Sequence, residues 1–174
     1  MKYFVNLFFI IIIIIFPQVV KSNDKIVYIN INKIINQSIA GDFINRELEK
    51  LHNTNLLNLN KIKDELQKEE KKILSKKNII SEDEYLKQID LLKVKVNNYQ
   101  NKQKKMLKEL NDKKVAAKKE LMDNLNSILT NFANNNDISY ILNKKNVVIA
   151  KKDLDITDDI IILLNQKIKK IALK

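Results

Sequence analysis

Side chains capable of catalysis or metal binding are scarce and scattered in this sequence of 174 residues. His52 is the only histidine, Gly41 is the only glycine, and there is no cysteine. Structural zinc needs clustered Cys or His, and a phosphate-binding P-loop needs glycines at fixed spacing, so both kinds of site are excluded. Asp158 and Asp159 are adjacent, and adjacent helix residues do not face each other as an acid and a base must. The sequence therefore predicts no enzyme, no metal site and no cofactor.

The chemistry that remains is electrostatic attraction by lysine. The chain has 32 basic and 21 acidic residues, a formal net charge of +11, and Arg46 is its only arginine. Specific recognition of phosphates or bases favours the two-pronged guanidinium group of Arg. A surface built almost wholly from lysine is instead suited to diffuse attraction of anions. Because a codon bias toward A and T also enriches Lys, Asn and Ile, we give pattern more weight than residue type.

The first 22 residues have the pattern of an export signal. Lys2 precedes an unbroken apolar run over residues 7–16, Pro17 follows, and residues 20–22 suit a signal peptidase. The alternative is an uncleaved membrane anchor, which normally needs about 20 apolar residues to span about 30 Å of hydrocarbon. We predict a cleaved signal peptide over residues 1–22. Without Lys2 and Lys21 the remaining chain has 30 basic and 21 acidic residues, a net charge of +9.

Strand-like segments lie near both ends of the processed chain. The β-branched and aromatic run over residues 26–29, with Ile31, predicts a short strand buried on both faces. Near the other end, apolar residues 138–142 and 147–150 enclose a polar loop over residues 143–146, which predicts a β-hairpin. The sequence between these clusters has a helical pattern.

A first long helix is predicted where apolar residues recur three or four positions apart. Gly41 is predicted to separate it from a short preceding helix that holds Ile34, Ile35 and Ile39. Asn55 and either Glu69 or Glu70 interrupt the apolar stripe. The stripe consists of Ile44, Leu48, Leu51, Leu59, Ile62, Leu66 and Ile73.

A second long helix carries a heptad pattern, which predicts a coiled coil. Its spacings alternate between four and three over Tyr85, Ile89, Leu92, Val96, Tyr99, Gln103, Met106 and Leu110. The pattern then continues, with one extra step of four that locally changes the supercoil, through Ala117, Leu121, Leu125, Ile128 and Phe132.

The sequence between the two long helices predicts a sharp turn. Ser81 and Glu84 have the spacing of a capping box, in which each side chain bonds the other residue's amide. Short polar loops join antiparallel helices, so we predict an antiparallel hairpin over residues 44–132 with its tip near 75–81. Polar residues in the seam, including Gln103 and either Lys113 or Lys114, would let the hairpin flex, or they simply fix its register.

The C-terminal segment predicts one more helix. Thr157 is expected to be its N-cap, with Asp158 and Asp159 at the positive end of the helix dipole. Leu164, Ile168 and Ile171 would continue its apolar stripe.

The predicted strands are too few to close a stable core within one chain. We therefore predict a homo-oligomer whose β-core is shared between copies, and a body formed by residues 23–43 and 133–174. The alternative is a solvated monomeric helix pair, which would leave apolar strands exposed. The expected oligomer core consists of Ile26, Val27, Tyr28, Ile29, Ile138, Tyr140, Leu142, Val147, Val148 and Ile149.

Together these elements resemble the Skp/OmpH family of periplasmic chaperones. The resemblance covers the whole chain in element order and is most specific in residues 24–30 (DKIVYIN), 137–142 (DISYIL) and 154–160 (LDITDDI). It implies a mostly helical α+β fold: a small β body completed by trimerisation, from which three coiled-coil tentacles project around a cavity. It also implies a periplasmic, ATP-independent holdase that binds unfolded outer-membrane proteins before their membrane insertion. Because Arg46 is the only arginine, no lipopolysaccharide site is transferred to this chain.

Weak, dispersed contacts on the hairpin suit such a task, with lysines attracting acidic clients and apolar side chains adapting to them. Any single lysine is equally explained as part of a solvated helix face. The lysines also make an anionic lipid or membrane surface a candidate partner. The candidate client-binding residues are Lys61, Lys63, Lys68, Lys71, Lys72, Lys93, Lys95, Leu56, Leu57, Ile79, Ile80 and Met106.

The alternative functions are a basic structural coiled coil and a nucleic-acid-binding protein. Charge alone predicts nonspecific adhesion to DNA. The export signal and the lack of aromatic stacking platforms on the basic helices count against a specific nucleic-acid partner.

Overall fold

The computed structural model describes residues 24–173. The predicted signal peptide, residues 1–22, lies outside this range. The elements in chain order are strand β1 (Lys25–Ile29), helices α1 (Ile31–Gln37), α2 (Ile39–Ser75) and α3 (Glu82–Asn135), strand β2 (Ile138–Asn143) and helix α4 (Thr157–Lys167). Two 3₁₀ turns, Lys144–Asn146 and Lys152–Leu154, lie between β2 and α4.

The fold is mostly helical, with a long antiparallel hairpin and a small sheet, which confirms the predicted fold class. Helix α2 has 37 residues and α3 has 54, which correspond to roughly 55 and 80 Å at about 1.5 Å per residue. Both are far longer than the body that carries them. The predicted seam residues of α3 are buried or half-buried, except Gln103, which is exposed.

The turn at the hairpin tip ends in a helix cap. The Ser81 hydroxyl accepts a hydrogen bond from the Glu84 amide at 3.4 Å, and three acidic residues occupy the first turn of α3. These acids complement the positive end of the helix dipole. The Glu84 carboxylate accepts a hydrogen bond from the Gln88 side chain at 3.0 Å, within its own helix, instead of reaching back to Ser81.

The break between α1 and α2 lies at Ser38, so the prediction that Gly41 separates the helices is wrong. The buried Ser38 caps α2, and its hydroxyl accepts a hydrogen bond from the Gly41 amide at 3.1 Å. Gly41 lies inside α2, where an added Cβ would be 1.7 Å from the carbonyl oxygen of Ile35. Its role is therefore to permit close approach of two helices.

The sheet pairs β1 with β2 in parallel, aligning Val27 with Ile141 and Ile29 with Asn143. The predicted β-hairpin over residues 138–150 is wrong. A 3₁₀ turn follows β2, and residues 147–150 form no strand in the described chain. The paired strands lie near opposite ends of the chain, and the whole helical hairpin connects them. Parallel strands need such a long connection, since a short turn can join only antiparallel strands.

The core lies where the sheet, α1 and α4 meet the base of the hairpin. It is made of Val27, Ile29, Ile34, Ala40, Ile44, Ala117, Leu121, Leu125, Ile128, Ile156, Ile160, Leu164 and Ile171. Farther along the hairpin, Leu59 and Ile73 are buried in the seam between the helices. A two-helix seam buries only one stripe of each helix, so most of the hairpin is exposed.

The start and the end of α4 both differ from the sequence prediction. Thr157 is the first residue of the helix and not its N-cap, a position held by Ile156. The Thr157 side chain is buried, and its hydroxyl donates to Asp155 and accepts from the Asn30 amide. The helix then ends at Lys167, so Ile168 and Ile171 do not continue its stripe.

Candidate functional site

Two exposed surfaces carry the residues that could act on other molecules. The first, the hairpin surface, consists of the exposed lysines and apolar side chains of α2, α3 and the turn between them. The second, the body surface, consists of Ile26, Tyr140, Leu142, Val148 and Ile149.

The structure places the candidate client-binding residues along both helices and at the tip. Leu56, Leu57 and Ile79 are exposed, Ile79 by 79% at the tip, whereas Ile80 and Met106 are half-buried. The candidate lysines are all exposed: Lys61, Lys63, Lys68, Lys71, Lys72, Lys93 and Lys95. The helices spread these residues over their length, so they form an extended surface instead of one pocket.

Two of these lysines are ion-paired, which reduces their availability to a partner. The Lys95 ammonium lies 2.6 and 2.8 Å from the two carboxylate oxygens of Glu69, across the hairpin seam. Lys93 bonds Asp90 at 2.9 Å, one turn away in the same helix. The pairs lower the local positive charge, so Lys93 and Lys95 are weaker candidates than the lysines of α2.

Six other apolar residues of the hairpin, which are not among the predicted client-binding residues, are also exposed. They are Leu74, Leu86, Leu91, Val94, Leu107 and Val115, each more than half exposed. Their sequence position could have identified these residues as exposed. They are apolar, but they lie outside the stripes of apolar residues, three or four positions apart, that pack the two helices together. An exposed apolar residue on a long two-helix rod is available to bind another chain.

The seam contains polar residues, and the structure shows which residue of each adjacent pair, 69/70 and 113/114, lies in it. Asn55, Glu69 and Lys113 are half-buried in the seam, whereas Glu70 and Lys114 are exposed. A cleft of about 330 Å³ opens between the helices around the Glu69–Lys95 pair. Charged groups retain water and resist tight packing, so the pair interrupts the apolar packing of the seam here.

The expected oligomer-core residues separate into a buried and an exposed group. Val27, Tyr28 and Ile29 are buried within the chain itself, and Ile138 and Val147 are half-buried. The other five form the body surface, in which Ile149 is 91% exposed and Val148 fully so. Sheet and loop residues of this kind, exposed together beside unpaired strand edges, are typical of a surface that another chain covers.

Hydrogen bonds join β1 and the residue after it to the start of α4. The Ile156 amide donates to the Tyr28 carbonyl at 3.1 Å, and the Thr157 hydroxyl accepts from the Asn30 amide at 2.9 Å. The Asp155 carboxylate accepts from the Thr157 hydroxyl and amide and from Lys144. Burial alone would raise the pKa of Asp155, but these hydrogen bonds and the Lys144 charge hold it below its usual value.

Residues 24–173 meet the requirements of neither a metal site nor a membrane-spanning helix. His52 is exposed, and no group of His, Asp or Glu in this range is arranged to hold a metal ion. None of the helices in the same range combines the length and apolar character needed to cross a bilayer.

Comparison with known proteins gives a family and a related structure. The family model described as outer membrane protein (OmpH-like) matches residues 25–164. A crystal structure of an OmpH-like protein from Caulobacter crescentus superposes with a TM-score of 0.81 at 22% sequence identity. The match covers 86% of this chain and 88% of that one. No curated protein matches the chain.

Proposed function

This chain belongs to the OmpH-like family, and from that premise we propose that it is a periplasmic chaperone for unfolded outer-membrane proteins. In this proposal it acts as an ATP-independent holdase: it binds clients between hairpins, prevents their aggregation and releases them for membrane insertion. The observation that carries the proposal is the hairpin surface, where exposed apolar side chains are interspersed with lysines along helices of 37 and 54 residues.

Dispersed weak contacts explain how a client is held and released without nucleotide. An unfolded β-barrel precursor exposes apolar segments that aggregate unless they are covered. Single side chains such as Leu57 or Ile79 each bury little area, so many of them hold the client while none holds it tightly. The lysines attract acidic clients over a longer range and raise the rate of encounter.

The body surface supports a homotrimer. Ile26, Tyr140 and Leu142 lie on or beside a two-stranded sheet, and a sheet of two strands is marginal by itself. In the proposed trimer, three copies of the body, residues 23–43 and 133–174, join their strands and bury Val148 and Ile149. The three hairpins, residues 44–132, would then enclose a cavity for the client.

The mass of the native assembly, with and without a urea-denatured outer-membrane protein, tests trimer and cargo together. We expect three copies alone and three copies plus one client after dilution of the denaturant. A monomeric mass contradicts the trimer. A trimer that leaves the client to aggregate contradicts the chaperone function.

Salt dependence tests the electrostatic part of the mechanism. The Debye length falls from about 10 Å at 0.1 M salt to about 3 Å at 1 M, so attraction by exposed lysines is screened. We expect client affinity to fall several-fold between these salt concentrations, measured by fluorescence anisotropy of a labelled client.

Affinity for vesicles of anionic lipid should fall in the same way, while vesicles of neutral lipid should bind weakly at both salt concentrations. Salt-independent capture of the client contradicts the role of the lysines.

A further inference from the structure

The chain does not stop at the end of α4 but crosses to the base of the hairpin. Ile168, the residue after α4, is extended, with φ −144° and ψ 130°. Residues 168–173, which we call the C-terminal strap, follow without helical structure. They lie beyond the part of the chain that the family model matches, which ends at residue 164.

The strap contacts both long helices. Ile171 is 1% exposed and belongs to the same buried cluster as Ile44 of α2 and Ala117 of α3. Ile168 and Leu173 pack against this cluster.

Polar contacts fix the strap at two further points. The Lys113 ammonium donates to the Leu173 carbonyl at 3.4 Å, and the Lys170 ammonium lies 5.8 Å from the centre of the Phe43 ring. Lys113 is a half-buried polar residue that interrupts the apolar seam of α3. Its position in the seam is thus explained by a bond to the strap, and not only by the register of the two helices.

We propose that the C-terminal strap ties the base of the hairpin to the body, so that bending of the hairpin begins beyond Thr54 and Lys113, which line one cleft with Leu173 of the strap. One end of the strap continues from α4, which packs in the body core, and the other end lies on α2 and α3. Beyond the strap, Asn55 and Glu69 put half-buried polar groups in the seam, where apolar residues would pack more tightly. The hairpin then consists of a fixed base and a mobile distal part, a division that does not depend on whether a client is bound.

Amide hydrogen exchange of the full-length assembly tests the strap. Ile171→Asn puts a polar group where the strap is buried, and Ala172→Asn makes the same change at an exposed neighbour. We expect exchange in residues 43–54 and 113–121 to become at least about tenfold faster in Ile171→Asn and to stay unchanged in Ala172→Asn. Amides of β1 should keep their rates.

Leu173→Asn is the milder variant if Ile171→Asn does not fold, because Leu173 is only half-buried. It should give a smaller change at the same amides. Unchanged exchange at the hairpin base overturns the proposal, since the strap would then not restrain the hairpin. An equal increase throughout the body also overturns it, since the strap would then only stabilise the body core in general.

A distance measurement gives an independent test. The chain has no cysteine, so Asn78→Cys at the tip and Asp153→Cys in the body can carry spin labels in one subunit of an assembly. We expect the distribution of tip-to-body distances to broaden when Ile171→Asn is added and to stay the same with Ala172→Asn. Equal distributions in both variants contradict a strap that restrains the hairpin.

Discussion

Gly41 determines, by lacking a side chain, how closely α1 and α2 approach. A Cβ at this position would lie 1.7 Å from the Ile35 carbonyl oxygen and 2.7 Å from its carbon, far inside van der Waals contact. No glycine among the described residues has a positive φ, so space and not backbone conformation requires glycine here.

Gly41→Ala should therefore destabilise the protein although the position is helical. In an open helix this change stabilises by about 1 kcal/mol. Here the clash with Ile35 should lower the free energy of unfolding by about 2 kcal/mol or more. Urea unfolding at a fixed protomer concentration measures it, with Asn45→Ala, exposed on the same helix, as the control. A more stable Gly41→Ala protein contradicts the close approach.

Asp155 links three parts of the body through a single carboxylate. It accepts from Thr157 at the start of α4 and from Lys144 in the turn after β2, and its backbone bridges to Tyr28 of β1. Asp155→Ala should lower the free energy of unfolding by about 1–3 kcal/mol at neutral pH, because the Thr157 and Lys144 donors lose their acceptor. The exposed Asp153→Ala is the control and should have little effect.

The same carboxylate should make stability depend on pH. The pKa of Asp155 is lowered from its usual 3.8 in the folded chain. Its contribution is therefore complete above about 3.8 and is lost as the pH falls through the lower, folded value. The stability difference between wild type and Asp155→Ala should be largest near neutral pH and shrink in acid. Urea titrations at several pH values measure it, and a difference that is independent of pH contradicts this assignment.

At the scale of elements, the hairpin differs along its length. At its base, Leu121 and Leu125 are fully buried between the long helices and the body. Farther out, the Glu69–Lys95 pair occupies the seam beside a cleft of about 330 Å³. A partly exposed ion pair contributes little net free energy, and apolar residues at seam positions pack better.

Replacing the pair by Glu69→Leu with Lys95→Leu should tighten the distal hairpin. We expect stabilisation by about 1 kcal/mol, which slows amide exchange near these residues about fivefold. The control is Asp90→Leu with Lys93→Leu, which replaces an ion pair on the exposed face of α3. It should leave amide exchange nearly unchanged. Faster exchange in the seam variant would mean that the pair itself fixes the register of the helices.

At the scale of the whole molecule, one chain presents an apolar body surface that the proposed trimer covers. Val148 and Ile149 follow β2 and its 3₁₀ turn and point away from the core, since both are almost entirely exposed. Burying a side chain of this size contributes about 1.5–3 kcal/mol, and a trimer would bury six.

Val148→Asp with Ile149→Asp should therefore dissociate the assembly. Analytical ultracentrifugation should give a monomer for this variant at concentrations where the wild type is expected to be a trimer, because two carboxylates per chain would be desolvated in the proposed interface. Leu86→Asp with Leu91→Asp makes equal changes on the hairpin and should leave the trimer intact. A trimer in the first variant contradicts this interface.

The sequence by itself determined the helical hairpin, its turn and its seam. These features follow from local rules: apolar residues every three or four positions, a serine three residues before a glutamate, and few glycines or prolines. The family resemblance also came from the order of such local patterns, and the match over residues 25–164 confirms it.

Only the tertiary structure decided which distant segments meet. The parallel pairing of β1 with β2 replaced an expected hairpin after Ile138, since strand pairing depends on long-range packing and not on neighbouring residues. Thr157 serves the contact with Asn30 instead of capping α4. Ile171 leaves a helical pattern because the hairpin base offers it a buried site, which no periodicity within the last residues encodes.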